Sequence, residues 1–348
     1  MIRLITRPPT GTCTISMYTG FLMSEIKSTT CTKLSEIMGI SHDSVNRFLE
    51  RENYSPNDLF NEAKKLINMT GGTLSVDDSV LDKPYSYHMD LVGYFWSGKH
   101  HKSVKGLNLI SLYYTDLQGN SVPVNYRIYN KAEGKTKNHY FQEMVAEVIE
   151  WGLNPEFVSG DTWYAGVPNL KMVKKHHMSF MFAIESNRLV SVEKGSWSQV
   201  KALDIPEDGL LVWLKDFGIV KLFRTYLKDQ QRHYIVFHPD EHARSAFKNI
   251  DFKRIHDQHW GIEMYHRMLK QVCNIERFQV RKERSIRNHI FVALLGYIKL
   301  KKMRLEADIV NAYQWRVNMY KEATKEFIQS IMSDFLHLDP QFKKSVNA

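Results

Sequence analysis

The sequence has few cysteines and no long apolar segment. Its 348 residues include only 3 Cys, at positions 13, 31 and 273, so neither a disulfide framework nor a cysteine-based zinc site is indicated. No apolar run approaches the roughly 20 residues needed to span a bilayer, and the longest, Phe291 to Ile298, predicts a core helix. Arginines and a Pro-Pro pair interrupt the first 17 residues, so we expect no signal peptide there. These absences predict a cytoplasmic protein without a membrane partner.

Internal repeats and low-complexity tracts are also absent, and a hydrophobic content of 43% is ordinary for a folded protein. The chain carries 47 Lys and Arg against 38 Asp and Glu, a net charge of +9. Between Asp251 and Arg304, thirteen Lys or Arg oppose five Asp or Glu, so this segment alone carries +8. Concentrated positive charge indicates a polyanionic partner, with nucleic acid ahead of a membrane surface.

The segment from His256 to Gln271 predicts a helix with two different faces. An apolar stripe recurs at spacings near three and four, and it comprises Ile255, Ile262, Tyr265, Leu269 and Val272. A second row places a single carboxylate among basic or titratable groups: His256, His259, Glu263, Arg267 and Lys270. A solvated face normally mixes both signs in i,i+4 pairs. The lone Glu263 therefore indicates a metal ligand placed where phosphate also binds, with a charged surface helix as the plain alternative.

Two upstream aspartates each close an apolar, strand-like run. Apolar side chains alternate from Gly72 to Ser79, so that Asp78 falls on their side at the strand end, with the adjacent Asp77 as its rival. The run from Phe157 to Asp161 has the same form. Carboxylates at strand ends, with a third on a packed helix, suit Mg²⁺ or Mn²⁺, and such ions can promote phosphodiester cleavage. Each aspartate taken alone is also a common cap or turn residue.

The segment from Cys31 to Glu50 predicts a helix-turn-helix, with a turn at Gly39 and a second helix capped by Ser41. The expected buried positions are Leu34, Ile37, Ile40, Val45, Phe48 and Leu49. The side chains expected to face a DNA groove are His42, Asp43, Ser44 and Arg47. The spacing also fits a plain helical hairpin.

The rest of the chain predicts an α/β protein in which a mixed sheet with one reversed strand is interrupted by a β-rich block. Strands are expected over 72–79, 107–114, 122–129, 157–161 and 180–184, with helices over 138–151 and 167–175. The block must loop out of the core, with strands over 210–214, 220–226 and 233–237, and helices follow over 285–305 and 307–336. The predicted regions are an N-terminal helical DNA-binding region (1–70), the first part of the core (71–186), the β-rich insertion (187–240), the second part of the core (241–305) and a C-terminal helical region (306–348).

This order of elements and acids resembles the DDE transposases of prokaryotic insertion sequences, in particular the superfamily with an RNase-H-like core and a β-strand insertion before the catalytic Glu. That superfamily carries a Tyr-x2-Arg-x3-Glu-x6-Lys signature. Here His256, His259, Glu263 and Lys270 stand at those spacings, so the Glu and the Lys match and the two histidines depart. Asp77-Asp78-Ser79 resembles the first-aspartate motif and Asp161 to Gly166 the second. The resemblance covers essentially the whole chain.

The resemblance implies a catalytic, metal-binding triad of Asp78, Asp161 and Glu263. It also implies a set of DNA-contacting residues: His256, His259, Arg267 and Lys270 near the cleaved end, and Ser44 and Arg47 on the helix-turn-helix. Two imidazoles facing phosphate would tighten DNA binding as the pH falls from about 8 to 6. In the insertion, Trp197 and Trp213 are candidates to stack on an extruded base, although a core role is favoured for each.

The implied function is cut-and-paste DNA transposition. The protein would bind terminal inverted repeats in double-stranded DNA as a homodimer, cleave a phosphodiester with metal-activated water, and join the free 3′-hydroxyl to target DNA. One alternative is a metal-dependent endonuclease or resolvase that cuts without strand transfer. Another is a non-catalytic DNA-binding repressor, against which the complete acidic triad argues.

Overall fold

The structure is a computed structural model that describes residues 12–227, 230–306 and 309–334. Its helices are α1 (Ile15–Ser24), α2 (Cys31–Met38), α3 (His42–Arg51), α4 (Pro56–Ala63), α5 (Lys137–Glu150), α6 (Val167–Lys175), α7 (Glu241–Ala246), α8 (Asn249–Gln271), α9 (Glu283–Leu305) and α10 (Ala312–Asp334). Its strands are β1 (Thr73–Asp82), β2 (Gly93–Ser97), β3 (Lys102–Thr115), β4 (Ser121–Ile128), β5 (Phe157–Gly160), β6 (Ser179–Ile184), β7 (Leu189–Ser191), β8 (Trp197–Gln199), β9 (Leu210–Leu214), β10 (Gly218–Leu227) and β11 (Gln230–Phe237).

The N-terminal helices pack on α9 rather than forming a separate unit. Hydroxyl side chains cap α1 to α4, so each helix begins at a Ser or Thr, as the sequence predicts for α3 at Ser41. Gly39 takes a left-handed φ of 60° and ends α2. The hydroxyl of Tyr18 on α1 lies 2.9 Å from Nδ1 of His289 on α9. The expectation that Ile37 is buried is wrong, because its side chain is 55% exposed.

The central strands form the predicted mixed sheet. β1, β5 and β6 are parallel, and β3 is antiparallel to both β1 and β4. β1 is longer than the sequence predicts, since it extends to Asp82 and therefore leaves Asp78 in the middle of a strand. β2, which the sequence analysis missed, pairs with the first residues of β3.

The sequence analysis expects the insertion to loop out of the core, but its strands instead extend the core sheet. β11 pairs antiparallel with β6 from His233↔Ile184 to Phe237↔Phe180, and β10, β9, β7 and β8 follow in the same sheet. The prediction was wrong because β6 would otherwise expose a row of unpaired backbone groups at the sheet edge, and the inserted strands satisfy them. In the part of the chain that the structure describes, eleven strands thus form one sheet. Between the predicted strands over 220–226 and 233–237, positions 228 and 229 lie outside the described residues.

Helices α8 and α9 cover one face of this sheet. The predicted apolar stripe of α8 is buried throughout, and so is the Phe291–Ile298 segment of α9. α10 begins at Ala312, and positions 307, 308, 335 and 336 of the predicted last helix lie outside the described residues. Within the described ranges, every helix is too short or too polar to cross a membrane.

Candidate active site

The register of two parallel strands brings Asp77 and Asp161 together. β1 and β5 pair Ser75 with Ser159 and Val76 with Gly160, so Asp77 and Asp161 are the next residues along these two strands. The hydroxyl oxygens of Ser75 and Ser159 lie 3.0 Å apart, which shows that both point to the same face of the sheet. Asp161 keeps an extended backbone, with φ −78° and ψ −177°. The alternation of side chains therefore places both carboxylates on the face of the two serines.

Helix α8 covers this face. Gln258 accepts a hydrogen bond from the Thr73 hydroxyl (2.5 Å), and Nδ1 of His259 lies 3.1 Å from the Ser159 hydroxyl. Further along the helix, Nδ1 of His266 lies 3.4 Å from a carboxylate oxygen of Asp77. Glu263 follows His259 by four residues and precedes His266 by three, so it belongs to the same side of α8. Its side chain is exposed, so a substrate can reach it.

Asp78 points to the opposite face of the sheet. Its carboxylate accepts hydrogen bonds from Lys137 Nζ (2.7 Å), Asn108 Nδ2 (2.5 Å) and the Tyr164 hydroxyl (3.2 Å). Leu74, Val76 and Asp78 share one side of β1, as the alternation predicts, but α8 packs on the other side, which carries Asp77. The geometry thus favours Asp77 over Asp78 as the partner of Asp161 and Glu263.

Burial and mutual repulsion raise the pKa of two of these carboxyl groups. Burial, reinforced by the negative charges of Asp77 and Asp78, raises the pKa of Asp161 to about 7. Partial burial and the charge of Asp77 also raise the pKa of Glu263. The pKa of Asp77 itself is lowered although burial opposes this, because the neighbouring His266 favours the carboxylate. The site therefore concentrates negative charge, which a direct contact with His266 compensates at Asp77.

A divalent cation fits this donor set. Carboxylate oxygens are the ligands that Mg²⁺ and Mn²⁺ prefer, and a cation would remove the repulsion that raises the pKa of Asp161 and Glu263. Within residues 12–227, 230–306 and 309–334, however, no three Asp, Glu, His or Cys side chains are already close enough to hold a metal ion. The carboxylates share a face and an electrostatic environment, and binding would draw them together.

His256 and His259 on α8 are partly buried and contact protein groups. His256 Nε2 lies 3.3 Å from the Tyr234 hydroxyl, and burial lowers its pKa. Burial also lowers the pKa of His259, to about 4, so its ring is neutral between pH 6 and 8. With His259 neutral, acidification to pH 6 would not add the two charges beside the DNA that the sequence analysis expects.

The four other predicted DNA contacts differ in their accessibility. Lys270 donates a hydrogen bond to the carbonyl oxygen of Val80 (2.6 Å), so its ammonium group ties α8 to β1. Arg267, on the same helix, is exposed. On α3, Arg47 is exposed, but Ser44 is only 5% exposed and its hydroxyl accepts a hydrogen bond from the backbone of Cys13 (2.9 Å). The expectation that Ser44 faces a groove is wrong, because its side chain anchors the residues that precede α1.

The insertion forms a wall of the site. A cavity of about 140 Å³ lies between Asp161 and Glu263 on one side and β10 and β11 on the other, where Arg232 and Tyr234 line it. The aromatic ring of Trp260, 48% exposed, lines the same cavity. The two tryptophans singled out in the insertion lie elsewhere: Trp197 is 43% exposed, so a core role for it is wrong, and Trp213 is half-buried.

Sequence reasoning missed His266, the neighbour of Asp77, and Lys137, the partner of Asp78. A signal for His266 was present, since it lies seven residues after His259 and three after Glu263, on the face already singled out. For Lys137 no local signal exists, because 59 residues separate it from Asp78.

Comparison with known proteins places this geometry in a family. The model of the transposase DDE domain matches residues 71–298, which contain Asp77, Asp161 and Glu263. No curated protein sequence matches the chain.

Among solved structures, the piggyBac transposase synaptic complex with hairpin DNA superposes with a TM-score of 0.53 at 12% identity, covering 96% of this chain and 74% of that one. This likeness shows the fold, the RNase-H-like core that the sequence resemblance implied. The Drosophila P element transposase strand transfer complex (TM-score 0.30, 7% identity, 54% of this chain and 48% of that one) is too distant to add to it. The family match spans well over half of the sequence, and the chain belongs to the DDE transposase family, whose members are enzymes that generally use divalent metal ions.

Proposed function

We propose that this protein is a cut-and-paste DNA transposase whose active site comprises Asp77, Asp161 and Glu263. The observation that carries the proposal is the placement of Asp77 and Asp161 in register on the face that α8 covers, with Glu263 on the same side of that helix. The protein would cleave a phosphodiester bond at the ends of its element and join the free 3′-hydroxyl to target DNA.

The three carboxylates would hold one or two Mg²⁺ or Mn²⁺ ions. Such ions make water nucleophilic and stabilise the charge on the leaving oxygen. His266 orients the Asp77 carboxylate, as outer partners of ligands commonly do. Water attacks in the first step and a DNA hydroxyl in the second, so the protein need form no covalent bond to DNA.

DNA binding is supported by the distribution of charge. The +8 of residues 251–304 lies on α8, on the loop that follows it and on α9, and Arg267 is exposed on the helix that carries Glu263. We infer that double-stranded DNA, held by two copies of the chain, lies along this side. Phosphate contacts of this kind give affinity, and base contacts elsewhere must give specificity.

The test is incubation of the protein with labelled element ends in Mg²⁺ or Mn²⁺, followed by gels that resolve nicks, double-strand breaks, hairpins and joined products. Transposition predicts joined products that vanish in Asp77→Ala, Asp161→Ala and Glu263→Ala, while each variant still binds the ends. Cleavage without joined products would instead favour the endonuclease or resolvase. Binding without any cleavage would favour the repressor.

Recognition of the ends by α3 has its own test. Arg47→Ala should weaken binding to the element end more than binding to random duplex, because a base contact contributes about 1–3 kcal/mol of discrimination. Ser44→Ala is the matched control on the same helix: its hydroxyl is buried, so it should lower stability and leave the preference unchanged. Equal loss on both DNAs in Arg47→Ala would exclude sequence reading by this residue.

A further inference from the structure

An exposed aromatic cluster lies on the hairpin of β2 and β3 and on the loop before it. Tyr85, Tyr87, Tyr94 and Trp96 are 85%, 79%, 66% and 65% exposed. Phe95, between Tyr94 and Trp96, takes the buried position of β2 (7% exposed) and packs its ring on Tyr129. The rings of Tyr94 and Trp96 are therefore not needed for the packing of this strand. Large aromatic side chains that stabilise no core indicate a binding surface.

The same hairpin is basic. Residues 93–105 contain three lysines and no aspartate or glutamate. Lys99 and Lys102 are exposed at the turn, and Lys105 Nζ lies 4.9 Å from the centre of the Tyr87 ring. Asp82, at the base of the hairpin, is already paired with His100 at 2.9 Å and Lys99 at 3.8 Å. Positive charge interleaved with exposed rings suits a nucleic-acid strand, because phosphates bind the cations and bases stack on the rings.

The sheet register aligns this surface with the candidate active site. Asp77 pairs with Ser111 on β3, Lys105 lies on the same face of β3 as Ser111, and Lys105 pairs with Tyr94 on β2. Antiparallel partners share a face, so Tyr94 lies on the Asp77 face, and Trp96, two residues on, lies there too. Along β3, the partner of Asp77 (Ser111) and the partner of Tyr94 (Lys105) are six residues apart, which corresponds to about 20 Å. That length corresponds to about six nucleotides at about 3.4 Å each.

We propose that this hairpin surface, formed by the face of Tyr94, Trp96 and Lys105 and by Lys99 and Lys102 at the tip of the hairpin, binds an unpaired DNA strand that leaves the active site. Bases about six nucleotides from the cleaved bond stack on Tyr94 and Trp96, and the lysines contact the flanking phosphates. The inference rests on the proposed function, since it takes DNA at Asp77 as its starting point. It adds to that function a surface that holds a separated DNA strand near the candidate active site.

The experiment measures binding to two labelled probes with the full-length protein. One is a duplex element end with a single-stranded extension of about eight nucleotides beyond the cleavage position, and the other is the same end without it. Tyr94→Ala/Trp96→Ala should weaken binding to the extended probe about 100-fold, at about tenfold per stacked base, and leave binding to the blunt probe nearly unchanged. Tyr94→Phe/Trp96→Phe should retain wild-type affinity because its rings still stack.

A matched control is Phe327→Ala on α10, which removes a ring of equal exposure (65%) far along the chain from the hairpin and should affect neither probe. Thermal unfolding confirms that each variant is folded. Unchanged affinity of the double alanine variant for the extended probe, or an equal loss on both probes, would overturn the inference. If the wild-type protein cleaves element ends while either of those results holds, only this inference fails. If the wild-type protein neither binds nor cleaves them, the proposed function fails as well.

Discussion

Asp77 and Asp78 are consecutive residues of β1, yet the two faces of the strand treat their carboxylates differently. Asp78 accepts three hydrogen bonds, including one from a lysine, so the fold compensates its charge. Asp77 lies beside a histidine and among carboxylates whose pKa its own charge raises. A carboxylate already paired within the fold is thus structural, whereas one surrounded by uncompensated negative charge suits a cation from solution. Experiments can therefore distinguish the role of Asp77 and its face of the sheet from the role of Asp78 and the opposite face.

Cleavage should separate the two faces most strongly. We expect Asp77→Asn to lower the cleavage rate by about 100-fold or more, because it removes charge where the cation would bind. Asp78→Asn should lower it no more than the roughly tenfold of an outer contact. Rates on a labelled element end in Mg²⁺ measure both. A normal rate in Asp77→Asn with an inactive Asp78→Asn would reverse the assignment of the two faces.

Stability should reveal the uncompensated charge of the Asp77 face. The folded-state pKa of Asp161 is raised to about 7 from 3.8, so above pH 7 its ionised form destabilises the native state, and this effect is lost as the pH falls towards 4. Asp161→Asn should therefore raise the free energy of unfolding by something on the order of 3 kcal/mol at pH 8 and much less at pH 4.

Denaturation of wild type and Asp161→Asn at the two pH values measures this difference. Mg²⁺ should stabilise the wild type at pH 8 but hardly stabilise the variant, because a ligand stabilises only the state that binds it. The same Mg²⁺ effect in both proteins would show that the ion binds elsewhere.

The Asp78 face should respond in the opposite sense. Asp78→Asn leaves Lys137, whose side chain is 17% exposed, without its charged partner, so we expect a loss of about 2 kcal/mol in the free energy of unfolding. Asp82→Asn on the same strand is the control: its partner Lys99 is 70% exposed, and the loss should stay below about 1 kcal/mol. Urea denaturation measures both variants, and equal losses would show that Asp78 is not a buried structural ion pair.

The smallest effect concerns His259 on the Asp77 face. Because its pKa is about 4, the imidazole stays neutral between pH 8 and 6 and adds no charge beside the DNA. His259→Gln should therefore change the ratio of DNA affinities at pH 6 and pH 8 by less than about twofold. Fluorescence anisotropy with an element end measures that ratio. A pH dependence that disappears in His259→Gln would show that the ring does titrate against phosphate.

Periodicity predicted most of the core, and it indicated Asp161 and Glu263 of the proposed site. The α8 stripe, the mixed sheet and the strand ending at Asp161 follow from spacing alone, because burial imposes the periods of helix and strand. The choice between Asp77 and Asp78 depends on tertiary packing as well. Alternation shows which residues share a side, but only the packing of α8 decides which side carries the site. The apolar side of a strand that is buried on both faces is thus an unreliable guide.

Long-range pairing accounts for the other errors. The placement of β11 beside β6 depends on a sheet edge that local sequence does not show, and Ser44 looked exposed because its partner, Cys13, lies 31 residues earlier. β2 was missed because the exposed Tyr94 and Trp96 flank a single buried Phe95, which leaves too short an alternation to detect.

The pairing of β6 with β11 also sets the mechanics of the site. A hinge between core and insertion would have to break the hydrogen bonds of five paired positions, from His233↔Ile184 to Phe237↔Phe180. Backbone groups stripped of partners in a buried sheet are costly, so the joint is stiff. Arg232 and Tyr234 are thus held in position relative to Asp161. In the proposed function the insertion would serve as a fixed wall against which a DNA strand is positioned.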